Sequence, residues 1–318
     1  MSARSRFVVT RTALAIPTLV AMSIFVFLII RLVPGDPVRT MLGFRATPEN
    51  VKTVRHALGL DHSLFSQYLH WASGLLRGDL GEDYISHVSV AELLGQRLPV
   101  TLELTLLALA LGLGLGVPLG IVSAHGGRIA RMFTSSFTVA GISIPDFWLG
   151  TLLILVFAAK LGWLPPTGYT SFATDPVENL RSMTLPVLTL AIGEAAYILR
   201  TTRASMQETL GRPFVSFLRA KGLSERSIVY RHALRTASLP IVTVVSIQFG
   251  VLLGGAIVVE TVFGLPGVGK LVVTAINQRN YTVVQGSVLV IAALFIVVNL
   301  LTDLVYGYLN PRLEASAA

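Results

Sequence analysis

The chain has 318 residues, of which 53% are hydrophobic and only 13% charged, with a mean hydropathy of +0.70. Soluble domains carry about 25% charged residues, so this composition would overfill a water-soluble core and excludes a soluble enzyme. The absence of cysteine excludes a disulfide framework and thiolate metal sites, and the net charge of +8 points to the placement of loops about a membrane rather than to nucleic acid.

Hydropathy places membrane-spanning helices at residues 13–33, 99–123, 134–159, 184–204, 240–262 and 284–308, each long enough for a bilayer core of about 30 Å. The expected fold class is therefore all-α integral membrane, with six transmembrane helices in a single domain over 1–318. The first run is too long for the apolar core of a secretory leader. No small-residue cleavage site follows it in Arg31-Leu32-Val33-Pro34-Gly35-Asp36, so it reads as a retained helix. The segment 34–98 holds Tyr68, Trp71, Leu75 and Leu76 between polar breaks and reads as a small, partly helical cap. On the second span Gly112, Gly116 and Gly120 recur every four residues, which bares one helix face for close packing of a neighbouring backbone. Pro145 and Asp146 interrupt the third run. Proline removes a backbone donor and kinks a helix, so one bent span is expected, with two half-helices as the alternative.

The short stretches 1–12, 124–133, 205–239 and 309–318 collect Arg4, Arg6, Arg11, Arg128, Arg131, Arg212, Arg219, Lys221, Arg226, Arg231, Arg235 and Arg312, against the acids Glu208, Glu225 and Glu314. Arg200 and Arg203 end the fourth span on the same side. The positive-inside rule puts both termini and the 205–239 loop in the cytoplasm and the 34–98 cap outside.

Five acids lie in or near spans: Glu103, Asp146, Glu194, Glu260 and Asp303. An ionisable group in hydrocarbon is costly and faces a cavity or a partner. Glu103, Glu260 and Asp303 sit near span ends, within reach of the interface. Glu194 is near the middle of the fourth span and has no basic residue at i±3 or i±4, so its partner must come from another helix. Glu194, with Glu103 and Asp146, is the candidate set for lining a polar path. The stretch Gly264-Leu265-Pro266-Gly267-Val268-Gly269-Lys270-Leu271 nearly matches a phosphate-binding loop, but Leu271 replaces the Ser/Thr that would hold magnesium, and it follows a span rather than a strand. It reads as a tight turn between the fifth and sixth spans. No carboxylate pair, H-E-x-x-H or nucleophile elbow is present, and the six histidines are scattered, so no catalytic, cofactor or metal residues are assigned.

Residues 211–239 read as two short helices meeting at Gly222. Ser224 is placed to cap the second, and Glu225 in its first turn suits the helix dipole. Phe214, Phe217 and Leu218 form an i, i+3, i+4 apolar face beside Arg219 and Lys221. Such a helix suits a lipid surface or a protein groove equally.

The same stretch carries a resemblance. Arg219-Ala220-Lys221-Gly222-Leu223, followed by Arg231-His232-Ala233-Leu234, resembles the EAA-type coupling loop of ABC-transporter permeases. The chain is similar nearly end to end to the dipeptide/oligopeptide/nickel permease family, of the dipeptide permease "B" type. The similarity includes Arg31 to Pro37, Leu75-Leu76-Arg77-Gly78-Asp79-Leu80-Gly81 and Arg97 to Leu104. It continues through Glu260-Thr261-Val262-Phe263 with Pro266-Gly267-Val268-Gly269, then Val284-Gln285-Gly286 and Asn310-Pro311-Arg312. The chain departs from the wider pattern at Ser216-Phe217-Leu218, Arg235, Asn280 and Thr282. The resemblance implies a six-helix permease of an ATP-driven importer, in the cytoplasmic membrane of a bacterium or archaeon. Its partners would be a second, homologous permease in a heterodimer, two cytoplasmic ATPase subunits that bind ATP and magnesium, and an extracytoplasmic solute-binding protein. Residues Arg219, Ala220, Lys221, Gly222, Leu223, Ser224, Glu225 and Arg226 would couple to an ATPase. Substrates of such relatives are di- and oligopeptides, nickel chelates, glutathione or oligosaccharides. A secondary carrier would instead need paired inverted repeats and broken helices in both halves, and an intramembrane enzyme would need a catalytic constellation.

Overall fold

The structure, a computed structural model, describes residues 3–32 and 36–309. Pro34-Gly35, Asn310-Pro311-Arg312 and the terminal stretch 310–318 lie outside the described residues. Among the described residues the chain is helical, with a single isolated bridge, Glu82 to Ser89, in place of any sheet. It divides into two compact units, one built from Met1–Val100 and Pro266–Leu300, the other from Thr101–Leu265 and Leu301–Ser316.

In the first unit, α1 (Ala3–Leu32) is followed by three short helices: α2 (Pro37–Leu42), α3 (Pro48–Ala57) and α4 (Leu64–Leu75). Their starts are encoded locally. The Asp36 carboxylate accepts from Val38 N at 3.1 Å, Thr47 Oγ1 from Asn50 N at 3.3 Å and Ser63 Oγ from Ser66 N at 3.3 Å. Pro37 and Pro48 occupy the first helical position, where a missing N–H costs nothing. A core of the first unit joins Val26, Val90, Leu94, Val272, Val283 and Val284. Phe27 meets Tyr68 edge-on at 5.3 Å and Trp71 at 5.8 Å.

The helix expected at 99–123 begins earlier, as α5 (Val90–His125), because backbone hydrogen bonding continues beyond the apolar stretch that hydropathy detects. The third span is broken rather than merely bent. Helix α6 (Arg128–Ser143) and the helix Asp146–Lys160 meet at 103°; the latter is α7 (Asp146–Leu153), winding on as π-helix through Ile154–Lys160. Proline forces its predecessor out of the helical region; Ile144 and Pro145 are both extended, at ψ 122° and 136°. The alternative of two half-helices describes the geometry better than one bent rod.

Helix α8 (Pro176–Leu210) is the axis of the second unit. The Asp175 side chain caps it, accepting from Val177 N and Glu178 N at 3.0 Å each. It packs against α6, α7 and α11 (Leu234–Val262). Its most apolar stretch is 72% buried, against 17% for α1 and 6% for the last helix. Helices α1 and α13 (Tyr281–Leu309) thus turn apolar side chains such as Phe25, Ile29, Val297 and Leu301 outward, as lipid-facing helices do. The second short helix expected after Gly222 is not separate. After α9 (Pro213–Ala220), α10 (Glu225–Ser227) passes through a π-helical stretch, Ile228–Ala233, directly into α11. Between the fifth and sixth spans the chain forms not just a turn but α12 (Val268–Asn277).

Candidate functional site

Two sets of residues, both in the second unit, carry the functional expectations. The first is the corner between α9 and α10. Helix α9 ends in a Schellman motif: Leu223 N donates to Leu218 O at 3.3 Å and Gly222 N to Arg219 O at 2.9 Å, with Gly222 at φ +76°. Two residues later Ser224 Oγ accepts from Ser227 N at 3.4 Å and starts the next helix. One helix thus stops and another starts within four residues, with little slack between them. Arg219 bridges the corner to Glu225 through two hydrogen bonds, of 2.6 and 3.2 Å. Each partner holds the other in its charged form, raising the Arg219 pKa and lowering that of Glu225. The pair is exposed, so its contribution to stability is small; it fixes shape. Lys221 sits 4.7 Å from the Phe217 ring centre.

Of the expected coupling residues, Arg219, Ala220, Lys221, Gly222, Ser224, Glu225 and Arg226 are exposed and Leu223 is partly buried. The expected apolar face is corrected in detail. Val215, not Phe214 or Phe217, is the residue of α9 that is fully buried, while Phe217 is 59% exposed. Behind the corner Val229, Ala233 and Ala237 pack on Ile121 of α5 and Met206 of α8. The chain that follows the corner is thus anchored on α5 and α8 by apolar contacts.

The second set is the carboxylates. Glu194 is buried in α8, and Gln248 Nε2 of α11 donates to its Oε2 at 3.0 Å. This is the partner from another helix that the sequence required but could not name. The break at Ile144–Pro145 brings Asp146 close: its Oδ1 lies 3.8 Å from where a Cβ at Gly193 would sit. Glu103 belongs to a different neighbourhood, accepting from the Tyr169 hydroxyl at 2.9 Å. Glu260 does not reach an interface; it is fully buried and accepts from Thr101 Oγ1 at 2.6 Å. Asp303 is partly buried. No group of three or more His, Asp or Glu suited to a metal occurs among the described residues.

Two expectations follow. Gln248→Leu leaves a buried carboxylate without its donor and should destabilise the protein by about 1–3 kcal/mol, whereas Glu194→Gln keeps an acceptor for Gln248 and should cost much less. Thermal unfolding in detergent checks the order; equal losses would mean that the charge itself matters. Burial, reinforced by the hydrogen bond to Glu103, pushes the Tyr169 hydroxyl up to about 12. A raised phenol pKa gives stability that is complete below the unfolded value near 10 and lost as pH rises through 12. Tyr169→Phe should remove that part of the alkaline loss, seen as a shallower fall in unfolding midpoint between pH 10 and 12.

Against known proteins, residues 116–315 match the family described as binding-protein-dependent transport system inner membrane component, and residues 4–105 match the N-terminal membrane component of the same systems. The chain is 38% identical over 310 residues to the probable peptide ABC transporter permease protein y4tP of Sinorhizobium fredii, covering 97% of this chain and 99% of that one. It is 40% identical over 309 residues to the glutathione transport system permease protein GsiC of Escherichia coli, covering 97% and 98%. A chain of the inward-facing MetNI methionine ABC transporter superposes with a TM-score of 0.56 at 18% identity, covering 71% of this chain and 96% of that chain, a likeness of fold. These matches select an ABC permease over a secondary carrier or an intramembrane enzyme, and ATP hydrolysis falls to other subunits. The chain belongs to the family of binding-protein-dependent transport system inner membrane components, the multi-pass permease subunits of ABC importers.

Proposed function

We propose that this permease forms one half of the path by which short peptides cross the cytoplasmic membrane of a bacterium or archaeon. The other half comes from a second, homologous permease. Both termini and the α9–α10 corner face the cytoplasm, where two ATPase subunits bind ATP and magnesium. The 34–98 segment faces a solute-binding protein outside. The observation that carries the substrate class is the near full-length similarity to a peptide permease and a glutathione permease; glutathione is itself a modified tripeptide, so one class covers both.

For coupling, the support is geometric. Residues 219–226, all exposed except the partly buried Leu223, are shaped by a Schellman motif and an N-cap and are continuous with α11. Docking of an ATPase there would move α11, and with it Gln248 beside Glu194. Nucleotide shifts such an equilibrium only by its differential affinity for the two states. Affinity purification of the chain from its native membrane, followed by reconstitution, tests the reading. Co-purifying ATPases and a homologous permease, with peptide uptake that requires ATP and the binding protein, are expected. Proton-driven uptake by the chain alone would sink it.

A further inference from the structure

The hairpin between α5 and α6 is tightly closed. Gly126 N donates to Val122 O at 2.7 Å, and Ser123 and Thr134 share a hydroxyl hydrogen bond of 2.7 Å across the two helices. The first turns of α6 are therefore held in register on α5. From there Arg128, Arg131, Met132, Ser135 and Ser136 follow at i, i+3, i+4, i+7 and i+8, which is one helix face. These five residues line an open depression of about 490 Å³ in the second unit.

The wall of this depression carries positive charge and no acid. Arg128 and Arg131 are exposed, and among the described residues neither forms an ion pair. A third cation reaches in from α8, where Arg203 Nη1 donates to Ser135 Oγ at 2.9 Å. It has no ion pair either. The acids of the adjoining loop are already engaged, Glu208 by Arg212 at 2.6 Å and Glu225 by Arg219 at 2.6 Å. Like charges gathered on one face repel, and an anion between them turns that repulsion into attraction. The donors match a phosphate. Guanidinium groups bind its oxygens in pairs. The Ser135 hydroxyl, which accepts from Arg203, keeps its own proton to donate, as does that of Ser136.

The surroundings choose between carriers of that phosphate. Helix α6 is half of the broken span. Beside the arginines, Ile129, Met132 and Phe133 are 85%, 63% and 64% exposed. An acidic protein surface or a free anion would answer the arginines and leave these side chains in water. A phospholipid answers both, with its phosphate on the basic face and an acyl chain along the apolar one. Basic pockets at the cytoplasmic ends of membrane helices are suited to anionic headgroups for this reason.

We propose that the depression is a binding site for one anionic phospholipid, with Arg128 and Arg131 on the headgroup phosphate, Arg203 fixing Ser135 behind them, and Ile129 and Phe133 against the acyl chain. It rests on the topology proposed above only for the leaflet, which is the cytoplasmic one.

The test titrates the transporter, purified with its partner subunits in a neutral detergent, with phosphatidylglycerol and with phosphatidylcholine. Bound lipids are counted by native mass spectrometry. The parent should hold phosphatidylglycerol about tenfold or more tightly than phosphatidylcholine, as charge-assisted hydrogen bonds imply. The double variant Arg128→Gln, Arg131→Gln should bind one phosphatidylglycerol fewer per chain with an unchanged unfolding midpoint. Lys52→Gln, at an exposed position of the cap, should bind like the parent. Ser136→Trp fills the depression from an exposed position and should also lose that lipid, which keeps the test informative should the double variant fail to fold. Inorganic phosphate at the same concentration should not displace the lipid. Equal binding of the two lipids, an undiminished count in both depression variants, or displacement by inorganic phosphate would overturn the inference. Loss of the ATPases from the double variant with the lipid count unchanged would give this face to a protein partner and overturn it too. The leaflet is read separately: the chain has no cysteine, and Ser136→Cys should react with a membrane-impermeant thiol reagent only from the cytoplasmic side. Reaction from outside would overturn the topology and the leaflet, whereas the detergent titration tests the site alone.

Discussion

Gly222→Pro is expected to reduce ATP-dependent uptake to background while leaving the chain inserted and folded. Gly222 sits at φ +76°, a conformation that costs an ordinary L-residue about 1–2 kcal/mol and that proline, fixed near −65°, cannot adopt. Proline would also remove the N–H that donates to Arg219 O at 2.9 Å, worth about 0.5–1.5 kcal/mol. Space is not the obstacle, since a Cβ at 222 would meet nothing within 4 Å. The damage is therefore to shape. The Schellman corner opens, Arg219 and Glu225 lose their register, and the exposed surface of residues 219–226 no longer presents one geometry. The rest of the unit is untouched, because Val229, Ala233 and Ala237 hold the following helix on α5 and α8. Uptake into proteoliposomes, read beside membrane insertion and the unfolding midpoint, checks both halves of the expectation. Gly222→Asn should retain more activity than Gly222→Ala, because asparagine tolerates positive φ better. Normal uptake by the proline variant would remove the corner from the coupling route.

Gly116→Leu should have the largest effect on folding. A Cβ there would lie 2.8 Å from Ala195 O, 2.8 Å from Ile198 Cβ and 2.9 Å from Ile198 Cγ2 of α8. Two of those contacts involve backbone or a branched Cβ, which have no rotamer to escape into, so α5 and α8 must separate. Overpacking of this kind costs about 1–3 kcal/mol and more where backbone must move, which corresponds to a drop on the order of 10 °C in unfolding midpoint. The neighbouring positions of the face agree, with Gly112 against Glu194 Cβ at 2.8 Å and Gly120 against Thr202 Cβ at 2.5 Å. Gly114 supplies the internal control. It lies on the opposite face, is exposed, and a Cβ there would meet nothing, so Gly114→Leu should melt like the parent. If both leucine variants were equally stable, the close approach of α5 to α8 would be wrong.

The spans, the close-packing face of Gly112, Gly116 and Gly120, the turn at Gly222 and the cap at Ser224 were all legible, because each depends on a residue's own chemistry and on neighbours within a helical turn or two. The interruption at Pro145 was legible as a fault, but not as a 103° break, since the angle depends on what the two helices pack against. The second short helix after Gly222 was misjudged for a related reason. No residue near Ala233 stops a helix, and a π-helical stretch carries the chain into α11 without a break. Val215 was overlooked as the anchor of α9 because periodicity marks an apolar face but not which neighbour covers it.

The carboxylates separate local from tertiary information most clearly. Sequence alone determined that Glu194 lies within a span and must find its partner on another helix, since hydrocarbon offers a carboxylate nothing and its own helix offers no cation. Only the tertiary structure decided that the partner is Gln248, 54 positions away, and that Glu260 is buried on Thr101, 159 positions away. A lone glutamine in the fifth span was the one signal available for the first; nothing marked the second. Hydropathy and capping are properties of short segments and survive in any packing of the helices. Which polar group meets which depends on how the helices cross and on their rotation about their axes, and those are fixed only when all the faces are buried together.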